Sequence, residues 1–399
     1  MSSTATIGDV VDAMERLYPA SGADEGDPIG LVIGERSASA GRMLLAVDPV
    51  RSVVDEAVRE RADLLLTHHP LLYRPVHSVA ADTPKGRVVH DLIRNGVGLL
   101  VAHTNADSAV AGVSESLAAA LQLEEVLPLV QSGGDPLDKI TTFVPTGSAD
   151  ALVDALAAAG AGSLGDYDRC AFLASGLGTF RPGRGAQPAV GQVGVVEVVD
   201  ETRIEMVLPR ARRPAVVQAL KAAHPYEQPA FDVLEMADLP TDRGTGRVGV
   251  LKEPMTLRAF ADEVSRVLPA TAVGTRVAGD LDALVRTIGV LGGSGDFMLD
   301  AARSAGLDVY VTSDLRHHPA SESREHDGGP ALVDVSHWAA EWTWLPTAAR
   351  MLGAELAAVG KDVTCLVSRR CTDPWNHRAA SPRSSSQMSR TDLEPEESL

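Results

Sequence analysis

Five side chains of metal-ligating type fall just past apolar runs that read as strands. Residues 63–67 run into His68-His69-Pro70, residues 97–102 run into His103-Thr104-Asn105-Ala106-Asp107, and residues 331–335 run into Ser336-His337-Trp338-Ala339-Ala340-Glu341. Proline has no ladder donor and pushes the residue before it into an extended conformation, so the first strand is expected to stop at the two histidines. Adjacent side chains of an extended segment diverge, which predicts that His68 and His69 serve two different centres, one metal ion for each. His337 and Glu341 are one helical turn apart and both reach one centre. Together His68, His69, Asp107, His337 and Glu341 offer three imidazoles and two carboxylates. That set exceeds the needs of one tetrahedral ion and suffices for two if a carboxylate bridges. A metal pair activates water near neutral pH and clamps a charged intermediate. Each piece alone has a plainer reading: a surface turn for His-His-Pro, a helix cap for Asp107, a solvated helical pair for His337 and Glu341. The metal reading rests on their convergence at strand ends.

Supporting residues are less decisive. His103 precedes Asp107 by four positions and is the candidate catalytic residue, either donating to a ligand carboxylate or moving a proton. A structural imidazole fits the sequence equally well. Gly292-Gly293-Ser294-Gly295 falls between a strand and a helix, where backbone N–H groups form an anion nest or merely a tight connection. Asp314, His317 and His318 are placed either to line the same cleft or to cap and solvate a helix. Trp338, Trp342 and Trp344 read as core rather than a stacking platform, and Arg181 and Arg184 as a solvated loop rather than a phosphate contact. Two divalent ions drawn from Zn, Fe, Mn, Ni or Co suit the donor set, which does not choose among them.

These side chains need a scaffold that delivers several strand ends to one place. Helical spacing predicts helices over 8–17, 50–61 and 85–95, the last closed by Gly96 as its C′ residue. Near-continuous apolar strands at 42–47, 63–67 and 97–102 alternate with them, which implies a largely parallel sheet covered by helices on both faces. In such sheets sites lie outside the carboxyl ends of the strands. After Gly133-Gly134-Asp135-Pro136 the pattern changes. A strand at 139–144, a helix at 149–159, strands at 168–174, 193–199 and 203–208, a helix at 214–223 and a strand at 230–236 approximate β-α-β-β-α-β, a ferredoxin-like arrangement with one strand broken by a turn. The parallel pattern resumes with a helix at 257–267 capped by Thr256, strands at 287–291, 308–312, 331–335 and 362–367, and a helix that Pro346 interrupts or restarts. Leu65-Leu66-Thr67-His68-His69-Pro70 is echoed by Val311-Thr312-Ser313-Asp314-Leu315-Arg316-His317-His318-Pro319, as expected of two similar α/β halves facing each other. The expected organisation is an N-terminal half (1–135), an inserted domain (136–240) with a return linker at 242–246, a C-terminal half (241–372), and a disordered tail (373–399) with almost nothing apolar to bury.

Bulk properties narrow the partners. The chain has 399 residues, 45% hydrophobic and 23% charged, the profile of an ordinary globular protein. A formal charge of −18 argues against general nucleic-acid binding. It leaves a phosphorylated small-molecule substrate open, because bound metal ions reverse the local field. Three cysteines without a CxxC motif point to a reducing compartment rather than a disulfide framework. No signal-like start and no apolar run of membrane-spanning length is seen, so a cytoplasmic protein without membrane contact is expected.

The chain resembles the NIF3-like family of dinuclear-metal proteins, which carry the description GTP cyclohydrolase 1 type 2. The resemblance runs from about residue 7 to 370. It is carried by Leu64-Leu65-Leu66-Thr67-His68-His69-Pro70, His103-Thr104-Asn105-Ala106-Asp107, Gly292-Gly293-Ser294-Gly295, Thr312-Ser313-Asp314 with His317-His318, and Asp334-Val335-Ser336-His337-Trp338-Ala339-Ala340-Glu341. It implies two facing α/β/α halves with metal ligands at His68, His69, Asp107, His337 and Glu341. Gly178-Thr179-Phe180-Arg181-Pro182 and His224-Pro225-Tyr226-Glu227-Gln228-Pro229 resemble the PII/CutA-like insert of the family's longer members. The resemblance further implies a homohexamer and a hydrolase in which a metal-activated hydroxide opens the imidazole ring of GTP and formate leaves. A metal-binding scaffold or regulatory protein without that activity is the competing expectation. One departure is Gly26-Asp27-Pro28-Ile29-Gly30-Leu31, where the family has Trp-Asp at the first two positions, and the segment after Asp373 has no family counterpart.

Overall fold

A computed structural model describes residues 3–134, 136–237 and 240–379. It separates into two compact units, Met1–Val130 with Arg243–Leu399, and Gln131–Asp242.

The first unit is built on two sheets. In one, Thr364–Val367, Arg42–Ala46, Leu64–Thr67 and Gly98–Val101 run parallel, with Gly30–Ile33 antiparallel at the edge. Leu64–Thr67 and Gly98–Val101 are buried at every position, which is why their sequences show no polar alternation. The helices Arg51–Arg59 and Pro84–Arg94 cover one face through Val53, Val54, Ala57, Val88, Val89 and Leu92. In the other sheet, Leu284–Ser294, Val309–Ser313 and Ala331–Val335 run parallel. Pro240–Thr256 and the short Arg276–Ala278 flank them antiparallel, and Glu124–Gly133 forms the far edge. The helices Ile7–Leu17, Val113–Ala120 and Trp344–Ala358 fill the layer shared by the inner faces of both sheets, in one continuous apolar core. Burying a helix stripe and a strand face against each other at about 25 cal/mol per Å² of apolar surface is what holds such a layer.

The helix boundaries follow local chemistry. Thr6 caps Ile7–Leu17 in a capping box with Asp9, whose Oδ2 accepts from the Thr6 backbone N–H at 2.8 Å. Gly96, at φ +69°, ends the segment after Pro84–Arg94 as expected. The helix begun at His337 stops at Trp342, and a new one starts at Trp344. Pro346 thereby sits in a first turn, where a missing N–H costs nothing.

Several expectations change. The sequential halves are interleaved: Thr364–Val367 joins the first sheet and Glu124–Gly133 the second. Glu124–Gly133 is mostly exposed and contains Pro128, a pattern tolerated at an edge and invisible as apolar alternation. The return linker at 242–246 lies inside the strand Pro240–Thr256, because sheet pairing overrides its Asp/Gly-rich composition. The expected tail lies outside the described residues from 380 onward. Of its first residues, Asp373, Pro374, Trp375, His377 and Arg378 line a cavity that His69 and His337 also line.

In the second unit, Leu137–Pro145, Phe172–Phe180, Glu197–Pro209 and Phe231–Glu235 form an antiparallel sheet in the spatial order fourth, first, third, second. The helices Ala149–Ala158 and Arg213–Ala223 supply Leu152, Leu156, Val216 and Leu220 to a core with Ile140, Ile204 and Met206. The two strands expected at 193–199 and 203–208 are one. Asp200-Glu201-Thr202 reads as a turn, yet Glu201 and Thr202 pair with neighbours on both sides, Pro145 and Val144 on one and Gly176 and Ser175 on the other.

Candidate metal centre

The strands Leu64–Thr67, Gly98–Val101 and Ala331–Val335 end close together, and the segments that leave them carry all five predicted ligands. After Thr67 the chain bends, with the His68 and His69 amides still donating to Ala46 O and Val47 O at 3.1 and 2.8 Å. Ser336 caps the helix His337–Trp342 by accepting from the Ala339 amide, which points His337 and Glu341 to the same side.

Glu341 is the hub. Its Oε1 lies 2.8 Å from His337 Nε2 and 3.4 Å from His68 Nε2, and its Oε2 lies 3.0 Å from His69 Nε2. Asp107 Oδ1 lies 3.7 Å from His68 Nε2. His69 and His337 approach each other at 3.3 Å between Nε2 atoms. The divergence expected of His68 and His69 does not occur. Their rings are 5.2 Å apart and both face Glu341, because the bend after Thr67 breaks the extended geometry on which divergence depends.

Each ligand imidazole is fixed from behind. His68 Nδ1 donates to Ala102 O at 2.9 Å, His69 Nδ1 to Asp48 Oδ1 at 2.7 Å, and His337 Nδ1 to Asp314 Oδ2 at 2.6 Å. This leaves Nε2 of all three as the inward atom and sets the tautomer that ligates a metal. Three inward atoms are not matched by a well-formed hydrogen bond among the described residues: His68 Nε2, Asp107 Oδ1 and Glu341 Oε2 are buried, and Oε2 has only its ion-pair contact with His69 Nε2. Such atoms cost about 1–3 kcal/mol each when left unpaired, more when charged, so the donor set fits metal ions that would satisfy them. One group of ligand atoms within 4.8 Å comprises His69, His337 and Glu341; another comprises His68, His69 and His103.

In the protein alone, protons supply the balancing positive charge. Burial pulls the His69 and His337 imidazoles down. The Glu341 carboxylate, with the hydrogen bonds to Asp48 and Asp314, outweighs it and lifts them to about 10 and about 11. Burial pushes Asp107 up to about 7, whereas the surrounding imidazoles overcome burial and hold Glu341 well below the usual carboxylate range. His103 goes the other way, lowered by burial and by its neighbour His68.

His103 does not donate to Asp107. Its Nδ1 meets Asp27 Oδ1 at 2.9 Å, and Asp27 also accepts from the Thr104 amide at 3.0 Å and its hydroxyl at 2.5 Å. The His103 ring stacks obliquely 5.2 Å from that of His68.

The family model for Duf34/NIF3 (NGG1p interacting factor 3) matches residues 5–374. The chain belongs to this family. A Mycobacterium tuberculosis relative named GTP cyclohydrolase 1 type 2 homolog is 45% identical over 372 residues, covering 93% of this chain and 96% of the relative. The Bacillus subtilis protein of the same name is 39% identical over 83% of this chain and 87% of its own length. A solved Bacillus cereus protein related to NIF3 is 35% identical, with a TM-score of 0.73 over 94% of this chain and 99% of that one.

The glycine run of this NIF3 chain serves the centre sterically. Gly293 sits at φ +85°, and a Cβ there would lie 2.8 Å from Glu341 Oε1. Only glycine lets the strand backbone come so close to the carboxylate. His317 and His318 are exposed at the start of His317–Glu325, whereas Asp314 is the support of His337. Trp344 is fully buried and packs edge-on to His68 at 5.6 Å. Arg181 and Arg184 are exposed in the second unit. Sequence reasoning did not single out Asp48, Asp27 or the Ala102 carbonyl. Asp48 follows Arg42–Ala46 at its carboxyl end, so the strand-end rule that found the ligands also points to it. A cavity of about 690 Å³ opens beside His69 and His337, and its far wall is the segment from Thr372 to Arg378.

Proposed function

We propose that this NIF3-family chain is a two-metal hydrolase acting on a purine nucleotide, with His68, His69, Asp107, His337 and Glu341 as ligands. The observation that carries the reading is the set of buried, partnerless ligand atoms gathered around Glu341. Glu341 is the carboxylate suited to bridge, since one residue reaches all three Nε2 atoms within 3.4 Å. When bound, the ions would lower the pKa of a water and polarise the group it attacks. Asp48, Asp314 and the Ala102 carbonyl hold the imidazoles in their ligating tautomer. His103, held by Asp27, would take a proton from the attacking water and return it to the opening ring. The names of the curated relatives favour GTP as substrate; one water would add to the imidazole carbon and open the ring to a formamide, and a second would hydrolyse that amide to release formate.

The second unit is read as a ferredoxin-like domain of PII/CutA kind, which its strand order supports, and the assembly as a cytoplasmic homohexamer. The described residues contain no helix long and apolar enough to cross a membrane. The deciding experiment loads purified protein with Zn, Fe, Mn, Ni or Co in turn, counts bound metal, and measures formate and dihydroneopterin triphosphate from GTP. About two ions per chain with formate release supports the proposal. Full metal loading without either product removes GTP as substrate, and absence of bound metal removes the centre itself.

A further inference from the structure

The segment that follows the family match carries polar and aromatic side chains into the cavity beside the ligands. The NIF3 match ends at residue 374, and Trp375, His377 and Arg378 line the same cavity as His69 and His337. Two hydrogen bonds pin this segment to the supports of the centre. Thr372 donates to Asp48, which holds His69, and Ser336, the cap of the ligand helix, donates to Asp373. Asp373 in turn accepts from the Trp375 amide at 2.8 Å.

These bonds occupy the side chains of Thr372 and Asp373, and those of Trp375 and Arg378 remain to meet a ligand. The Trp375 indole is 68% exposed, whereas Trp338 and Trp344 are buried. The carboxylates of this wall each have a partner, Asp48 with His69 and Thr372, Asp314 with His337, Asp334 through one oxygen with Arg276, and Asp373 with Ser336, and they keep their charge. Arg378 makes one long hydrogen bond of 3.5 Å to Val273 O and no ion pair among the described residues. Beside those carboxylates the cavity sets the Trp375 face and the cations Arg276, paired with Asp334, and Arg378, in a space of about 690 Å³, within the range of small-molecule sites.

We propose that Thr372–Arg378 is a recognition wall in which Trp375 stacks on a planar heterocycle and Arg378 takes its anionic group. The wall would select nucleotide-like anions over uncharged nucleosides. The proposal rests on the metal-centre reading for its purpose, but its test is equilibrium binding rather than turnover. Metal-loaded full-length protein is titrated with GMP and with guanosine, following tryptophan fluorescence and calorimetry. Trp375→Ala is expected to weaken both ligands about tenfold or more, as loss of a stacking platform does. Arg378→Gln is expected to weaken GMP about tenfold and leave guanosine within twofold. Metal content stays at the wild-type level in both variants, which separates wall from centre. GMP binding equal to wild type in Trp375→Ala, or no GMP binding by wild type, overturns the wall. GMP binding with these variant effects but no formate release from GTP leaves the wall standing and sinks the proposed reaction.

Discussion

The two units treat buried charge in opposite ways. In Gln131–Asp242, the inaccessible Asp138 carboxylate receives Arg213 at 2.6 and 3.0 Å and Arg210 at 3.1 Å. Those hydrogen bonds, Arg213 first, outweigh burial and hold the acid below its usual range. In the other unit Glu341 is equally buried, yet its neighbours are three imidazoles, of which His68 has its inward nitrogen without a hydrogen-bond partner among the described residues. A buried charge satisfied by guanidinium groups needs no ligand. A buried cluster of neutral-capable donors around one carboxylate is stable only when protons or metal ions complete it. The contrast separates a structural ion pair from a site.

The largest break in this contrast comes from the hub. Glu341→Gln and His337→Ala are each expected to reduce bound metal to a small fraction of wild type by elemental analysis. Asp138→Asn, by contrast, lowers the unfolding midpoint of the insert and leaves metal content unchanged. Next come the supports. Asp48→Asn and Asp314→Asn keep the ligands but loosen their tautomers, lowering metal affinity about 10–100-fold in chelator competition. Wild-type affinity in both variants would show that the supports are incidental. Gly293→Ala is expected to cost about 1–3 kcal/mol from the left-handed backbone, measured by denaturant unfolding of the metal-free protein. It also lowers affinity by crowding Glu341 Oε1.

The smallest effect is in pH. His69 and His337 have folded values raised to about 10 and about 11, so in metal-free protein their contribution to stability is complete below the unfolded imidazole value. It is lost as pH rises through 10 to 11. Asp138 is lowered, so its contribution is present above the unfolded carboxylate value and is lost as pH falls through the folded one. Metal-free protein should therefore weaken at the centre in alkali and at the insert in acid. Metal binding displaces the imidazole protons, so apparent affinity rises with pH, with proton release visible by calorimetry in buffers of different ionisation enthalpy. An affinity independent of pH between 6 and 8 would contradict this assignment.

What could be read from the chain were features encoded locally. The apolar runs before His68, His103 and Ser336, the capping residue Thr256, and the one-turn spacing of His337 and Glu341 are properties of a few consecutive residues. They were enough to mark strand ends and the ligand types gathered there. Pairing decided the rest. Whether Asp200-Glu201-Thr202 turns or extends depends on Gly176 and Pro145, more than twenty residues away. That Glu124–Gly133 is an edge strand depends on Pro240–Thr256. His68 and His69 meet one carboxylate 272 or more residues later in the chain, a convergence no local pattern contains. Asp48, Asp27 and Thr372 gained their roles the same way, because a hydrogen bond is fixed by distance in space, and only the packed sheets set that distance.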